Sequence, residues 1–216
     1  MRAVDWSVVV DRRAADPRDV VTYRAASVWA AAVLVYVSAI FGRTSFGVAG
    51  VQAMDHFAVD ASRIAVFASV QVGVYALAQI PAGVLLDRYG SRVTLTAGAV
   101  LMALGQVLMS QTETVGVAMI ARIVLGAGDA LTFASAIRLV PAWFPPGRVP
   151  LLTQLTGILG QVGQILSAVP FVAVLSVAGW TPAFSSAAAL SLVAGLSLSL
   201  SPAVAADAAA DGDINI

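Results

Sequence analysis

The chain has 216 residues, 59% of them hydrophobic and 11% charged, with a formal net charge of zero. A soluble domain carries about 25% charged residues, so this composition, with a mean hydropathy of +0.89, places the chain in a membrane. Zero net charge offers no global attraction to nucleic acid, and the absence of cysteine excludes disulfides, thiolate metal sites and Cys nucleophiles.

Taken in chain order, residues 1–24 mix Arg2, Arg12, Arg13, Arg18 and Arg24 with Asp5, Asp11, Asp16 and Asp19. No apolar core follows a short basic start, so this is not a secretory signal but a polar cytoplasmic tail. Helices are predicted over 25–48, 62–86, 92–110 and 113–140. The run from Val149 to Ala206 carries no charge and is too long for a single crossing of about 20 residues. Gly179-Trp180-Thr181-Pro182 divides it, because Gly and Pro punctuate helices and Trp favours the interface. That gives helices over 150–177 and 182–200. The Ala- and Asp-rich segment 201–216 reads as a disordered cytoplasmic tail. The fold expectation is therefore an all-α membrane protein, with a bundle of six transmembrane helices over 25–200.

Arginine supplies every basic residue, and its distribution orients the bundle. The leading tail holds five, and Arg88, Arg92, Arg138 and Arg148 fall in the second and fourth connections, on the same side. The opposite side has Arg63 alone. The excess of positive charge marks the cytoplasmic side, so both termini are expected there, in a multi-pass protein of the cell membrane.

The segment Gly83-Val84-Leu85-Leu86-Asp87-Arg88-Tyr89-Gly90-Ser91-Arg92 is a short charged turn between two charge-free runs, Ile64 to Leu86 and Val93 to Thr112. Its spelling resembles the loop between helices 2 and 3 of the major facilitator superfamily of secondary transporters. Arg122-Ile123-Val124-Leu125-Gly126-Ala127-Gly128 resembles that family's helix 4. Trp143-Phe144-Pro145-Pro146-Gly147-Arg148 and Gly179-Trp180-Thr181-Pro182-Ala183-Phe184 are similar to its 4–5 and 5–6 connections. The resemblance covers residues 25–200 and implies the N-terminal six-helix half of such a transporter, moving a small solute by alternating access. It also implies that Asp87 and basic partners at Arg88 and Arg92, with Gly83 and Gly90 shaping the turn, latch helix ends as a gate. The plainer reading makes those arginines topology anchors. Two features depart from the family: Ser91 stands where many members have a basic residue, and one set of six helices is present rather than two. Helix 5 lacks the G-P-x-x-G-G of many drug–proton antiporters, so drug antiport is not favoured.

Inside the spans, Arg122 and Asp129 lie seven residues apart, on one face of a helix and about 10 Å apart along its axis. A charge at that depth costs roughly 2.5 to 3.5 kcal/mol, so both are expected to face the bundle interior. They read either as a substrate or proton-relay pair or as structural charges paired to backbone or a neighbouring helix. Arg43, with Tyr36 on the same face, either binds an anionic solute or snorkels to the interface; snorkelling is the preferred reading. Gln71, Tyr75 and Gln79 share a face of helix 2, and Gln154, Gln161 and Gln164 share one of helix 5. Lipid does not satisfy amides, so both sets are expected to point inward, as cavity lining or as interhelical bonds. His56, the sole histidine, sits in a connection and offers no paired-histidine site. No cofactor, metal site or enzymatic motif is read.

The functional expectation is a half or truncated transporter for a small anionic or zwitterionic solute, with proton coupling as an option. A second six-helix half would come from a copy of itself or a separate chain. The alternative is a non-transporting membrane remnant or assembly partner.

Overall fold

The computed structural model describes residues 22–201, so the tails expected over 1–24 and 201–216 fall almost wholly outside the described residues. The described residues form helices joined by short turns. Helix α1 spans Tyr23–Val48, with Thr22 Oγ1 accepting from the Ala25 amide at 3.1 Å to satisfy its first turn. A short helix α2, Gly50–Phe57, closes on Ala58 in the left-handed region (φ 51°). Helix α3 runs Ala61–Gln111 behind Asp60, whose carboxylate accepts from the Arg63 amide at 2.9 Å. That backbone bond and the Ser62 hydroxyl hold the exposed Asp60 below the usual aspartate pKa. Helices α4 (Val115–Ala130) and α5 (Phe133–Trp143) follow, and a single 3₁₀ turn, Pro146–Arg148, leads to α6 (Val149–Gly160). Helix α7 (Val162–Leu166), a π-helical turn at Ser167–Phe171 and α8 (Val172–Ala178) continue one apolar column. The π turn holds Pro170, which has no amide to donate, and a widened turn absorbs the missing bond. Gly179 at φ 88° separates α8 from α9, Trp180–Ser199.

Five of these segments are long and apolar enough to cross a membrane: Tyr23–Val48, Ala61–Gln111, Val115–Trp143, Pro146–Ala178 and Trp180–Ser199. The sequence predicts six. The difference lies in α3, where the second and third expected helices are joined with Gly90 alone out of helical geometry, at φ 76° and ψ 168°. That combination is open essentially to glycine only. Contacts on either side of Gly90 run in opposite senses. Before it, Gln71 meets Arg122 and Asp87 meets Arg138, so α3 climbs with α4 and α5. After it, Gly98 abuts the Gly128 carbonyl and Gly105 the Ala121 carbonyl, so α3 descends against α4. A straight helix of 51 residues would reach about 76 Å; Gly90 folds it back on itself instead.

Away from Gly90, the α2 end is closed by an aromatic cluster of Phe46, Phe57, Phe67, Trp180 and Phe184. Trp180 donates its indole N–H to the Met109 carbonyl at 2.8 Å, and the Thr181 hydroxyl donates to the Ser110 carbonyl at 2.9 Å. Trp180 is thus a packed anchor between α3 and α9. His56 belongs to α2; its ring stacks on Trp180 at 4.3 Å, and its Nε2 is 2.9 Å from the Thr112 carbonyl.

Candidate functional site

Two elements, α4 and α1, bring charges together inside the bundle, and α3 lays neutral polar side chains against them. Helix α4 contributes Arg122 and Asp129, each 1% exposed. The chain tightens just past Asp129: the amide and the hydroxyl of Thr132 both donate to the Asp129 carbonyl, at 3.1 and 2.8 Å. This is what separates α4 from α5. Helix α1 brings Arg43, whose Nε and Nη2 donate to the two Asp129 carboxylate oxygens at 2.7 and 2.9 Å. Such a two-pronged pair is stronger and more directional than a single contact. The Arg43 guanidinium also lies 4.5 Å from the centre of the Tyr75 ring of α3. The snorkelling preferred for Arg43 is therefore overturned. A buried carboxylate on α4 lies within its reach, and pairing with it outweighs a path to the interface.

Arg122 takes a different environment. Its Nη1 donates to Gln71 Oε1 at 2.8 Å and to the Gly42 carbonyl at 3.4 Å, and the guanidinium sits 4.2 Å from the centre of the Phe46 ring. Its Nε and Nη2 have no partner among the described residues, and neither has Gln71 Nε2. Gln71 is held at this depth because Gly126 packs directly on its backbone; a Cβ there would come within 2.7 Å of the Gln71 carbonyl. A cavity of about 100 Å³ opens beside these groups, lined by Arg43, Gln71, Val72, Tyr75 and Asp129.

Other expected residues lie elsewhere. Tyr36 is buried against Phe133, ring centres 5.0 Å apart, and does not line the cavity. Gln79 is half-buried. Gln154, Gln161 and Gln164 are exposed on the surface of this unit rather than buried between its helices. The reason is packing: Gly160 and Gly163 seat this column on Tyr36, Val37 and Ile40 of α1, which turns the glutamine face outward. There Gln164 Nε2 donates to Gln161 Oε1 at 2.5 Å.

At the Gly90 end, Asp87 pairs with Arg138 of α5, not with the Arg88 and Arg92 that flank the turn. The Arg88 guanidinium rests 5.4 Å from the centre of the adjacent Tyr89 ring, and Arg92 Nη2 donates to the Ser199 carbonyl at 3.3 Å. Gly83 is helical with open space around it.

Residues 32–212 match the family model of the Major Facilitator Superfamily. The chain belongs to this superfamily. Its relatives carry transporter names. YybO of Bacillus subtilis, named an uncharacterized transporter, is 27% identical over 145 residues, covering 67% of this chain and 33% of the relative. A probable sulfoacetate transporter of Cupriavidus necator is 24% identical over 159 residues, 74% of this chain and 37% of that one. A probable L-galactonate transporter of Escherichia coli is 30% identical over 114 residues, 53% and 24% respectively. The chain spans about a third of the length of the first two.

Within this facilitator chain, three features escape a reading of the sequence. Gln106 of α3 is 1% exposed and bonds Ser45 at 3.5 Å, a buried amide that a uniformly apolar run hides. The Arg43–Asp129 and Asp87–Arg138 pairs each link helices far apart in sequence. The sequence places Arg43 and Asp129 inside apolar helices, where each needs a partner, but does not say which partner it takes.

Proposed function

We propose that this chain is a six-helix unit of a secondary transporter that moves small anions by alternating access. The observation that carries the reading is a charged cluster with an excess of cations: Arg43 pairs with the buried Asp129 beside a cavity that both line, and a second buried guanidinium, Arg122, is tied to the same cavity through Gln71. A low-dielectric site with more cationic than anionic groups favours an anion. Arg43 already holds a carboxylate, so an anionic solute can take the place of Asp129 on the same guanidinium. Release of Asp129 from Arg43 then offers a route by which solute binding is coupled to a proton. The names of the sulfoacetate and galactonate relatives agree with an anionic solute.

Two further features support the transporter architecture. The opposed contacts on either side of Gly90 support reading α3 as two crossings, for six in the unit. The glutamines exposed on α6 and α7 sit on an otherwise apolar column, which lipid does not satisfy and a second six-helix unit would. Substrate would then bind between the two units, and rocking one against the other would alternate access. The Asp87–Arg138 pair, at a turn and largely exposed, suits a latch with a closed and an open arrangement. The arginine distribution supports both termini facing the cytoplasm in a cell membrane.

The test is uptake into proteoliposomes of sulfoacetate and galactonate, with the neutral sugar galactose and the cation choline as controls, using this unit in its complete assembly. Uptake of the anions alone, lost in Arg43→Gln, is the expected result. Equal uptake of galactose, or unchanged uptake by Arg43→Gln, contradicts the anion reading.

A further inference from the structure

Gln71 stands between the two arginines, and its chemistry is decided by one of them. A guanidinium only donates, so the Gln71 atom 2.8 Å from Arg122 Nη1 is the carbonyl oxygen. With that oxygen held, the amide NH₂ takes the remaining position. Gln71 is 2% exposed, its Nε2 has no partner among the described residues, and the side chain lines the cavity with Arg43, Tyr75 and Asp129. An amide free to flip would offer a ligand either an acceptor or a donor; one clamped by Arg122 offers a donor only. The clamp is itself rigid, because Arg122 Nη1 also reaches the Gly42 carbonyl and the guanidinium is seated on the Phe46 ring.

We propose that Gln71 is an anion-selecting residue of this site: its NH₂, aimed by Arg122, donates with Arg43 to the oxygens of a carboxylate or sulfonate headgroup. Arg122 is then a positioning residue that acts on solute through Gln71 rather than by contact. The proposal rests on the anion reading above and extends it. A cavity of about 100 Å³ suits a small oxyanion headgroup, with the remainder of the solute outside it.

The experiment measures binding of sulfoacetate by calorimetry at constant ionic strength, on the full chain in nanodiscs, together with thermal midpoints. Gln71→Glu keeps an acceptor for Arg122 and removes the donor. It is expected to melt at or above the wild-type temperature while binding sulfoacetate at least tenfold more weakly. Gln71→Met removes the donor without adding charge and is expected to weaken binding about threefold or more, the scale of one hydrogen bond. Arg122→Lys keeps the charge but loosens the clamp. It is expected to weaken binding in the wild-type background and to add nothing in Gln71→Met, a non-additivity that a purely structural or purely coulombic role does not produce. Wild-type chain that fails to bind sulfoacetate removes the anion reading and this proposal together. Wild-type binding matched by Gln71→Glu, a lowered Gln71→Glu midpoint, or additive Arg122→Lys and Gln71→Met effects overturn the clamp alone.

Discussion

Asp129 has a side chain with no solvent exposure, whereas Arg43 is one third exposed. The two ends of this pair therefore respond differently to loss of the partner. Arg43→Ala strands a buried carboxylate, while Asp129→Ala leaves an arginine that still reaches solvent and the Tyr75 ring. Arg43→Ala is expected to be the more destabilising single change, and the double variant Arg43→Ala/Asp129→Ala is expected to recover part of the loss. The coupling should be about 1 to 3 kcal/mol, discounted toward the lower end for the exposure of Arg43. Chemical unfolding in detergent micelles across the four proteins measures it, and strict additivity contradicts the pair. That both α4 charges face inward follows from their seven-residue spacing and the cost of charge in lipid. Which residue answers Asp129 does not, because the meeting of α1 with α4 is set by tertiary packing, such as that of Gly42 against Leu125.

At the scale of elements, the two glycines of the 83–92 segment are alike in sequence and unlike in structure. Gly90 holds φ 76° and ψ 168°, and Gly83 is helical with nothing within 4 Å of where an alanine methyl would sit. Gly90→Ala is expected to cost about 1 to 3 kcal/mol in the isolated chain through backbone strain. Gly83→Ala should be neutral or slightly stabilising, by favouring the helix; thermal unfolding of both variants measures the contrast, and equal midpoints contradict it. Asp87→Asn should barely change the melting temperature, since both partners are largely exposed, yet slow inward–outward exchange in the complete assembly. Arg138→Gln should reproduce that effect, whereas Arg88→Gln should not; accessibility labelling on the two sides reads it, and unchanged exchange in Asp87→Asn contradicts the latch. The helix positions are legible because uninterrupted apolar runs and Gly or Pro punctuation mark them directly. The tightening after Asp129 and the π turn at Pro170 are not, because each is a change of one or two backbone bonds inside a run of constant hydropathy. The partner of Asp87 is hidden for a related reason. Nearness in sequence suggests Arg88 and Arg92, but Arg88 rests on the Tyr89 ring and Arg92, beyond the turn at Gly90, reaches the Ser199 carbonyl.

For the whole molecule, the arginine asymmetry predicts that reporters active only outside the cytoplasm stay silent when fused at Met1 or at Ile216; activity from either end contradicts the orientation. The exposed glutamines of α6 and α7 carry the proposal that this unit works against a second one. The fold of the unit is readable from composition, but the outward turn of that glutamine face is not, since it depends on Gly160 and Gly163 choosing α1 as their neighbour. The most direct test is reconstitution of the chain in liposomes over a range of protein densities, recording oligomeric state and sulfoacetate uptake in the same vesicles. Uptake is expected only where two six-helix units associate and is expected to vanish at dilutions that leave single copies. Uptake that persists in vesicles holding one unit each contradicts the account and makes these six crossings a self-sufficient carrier.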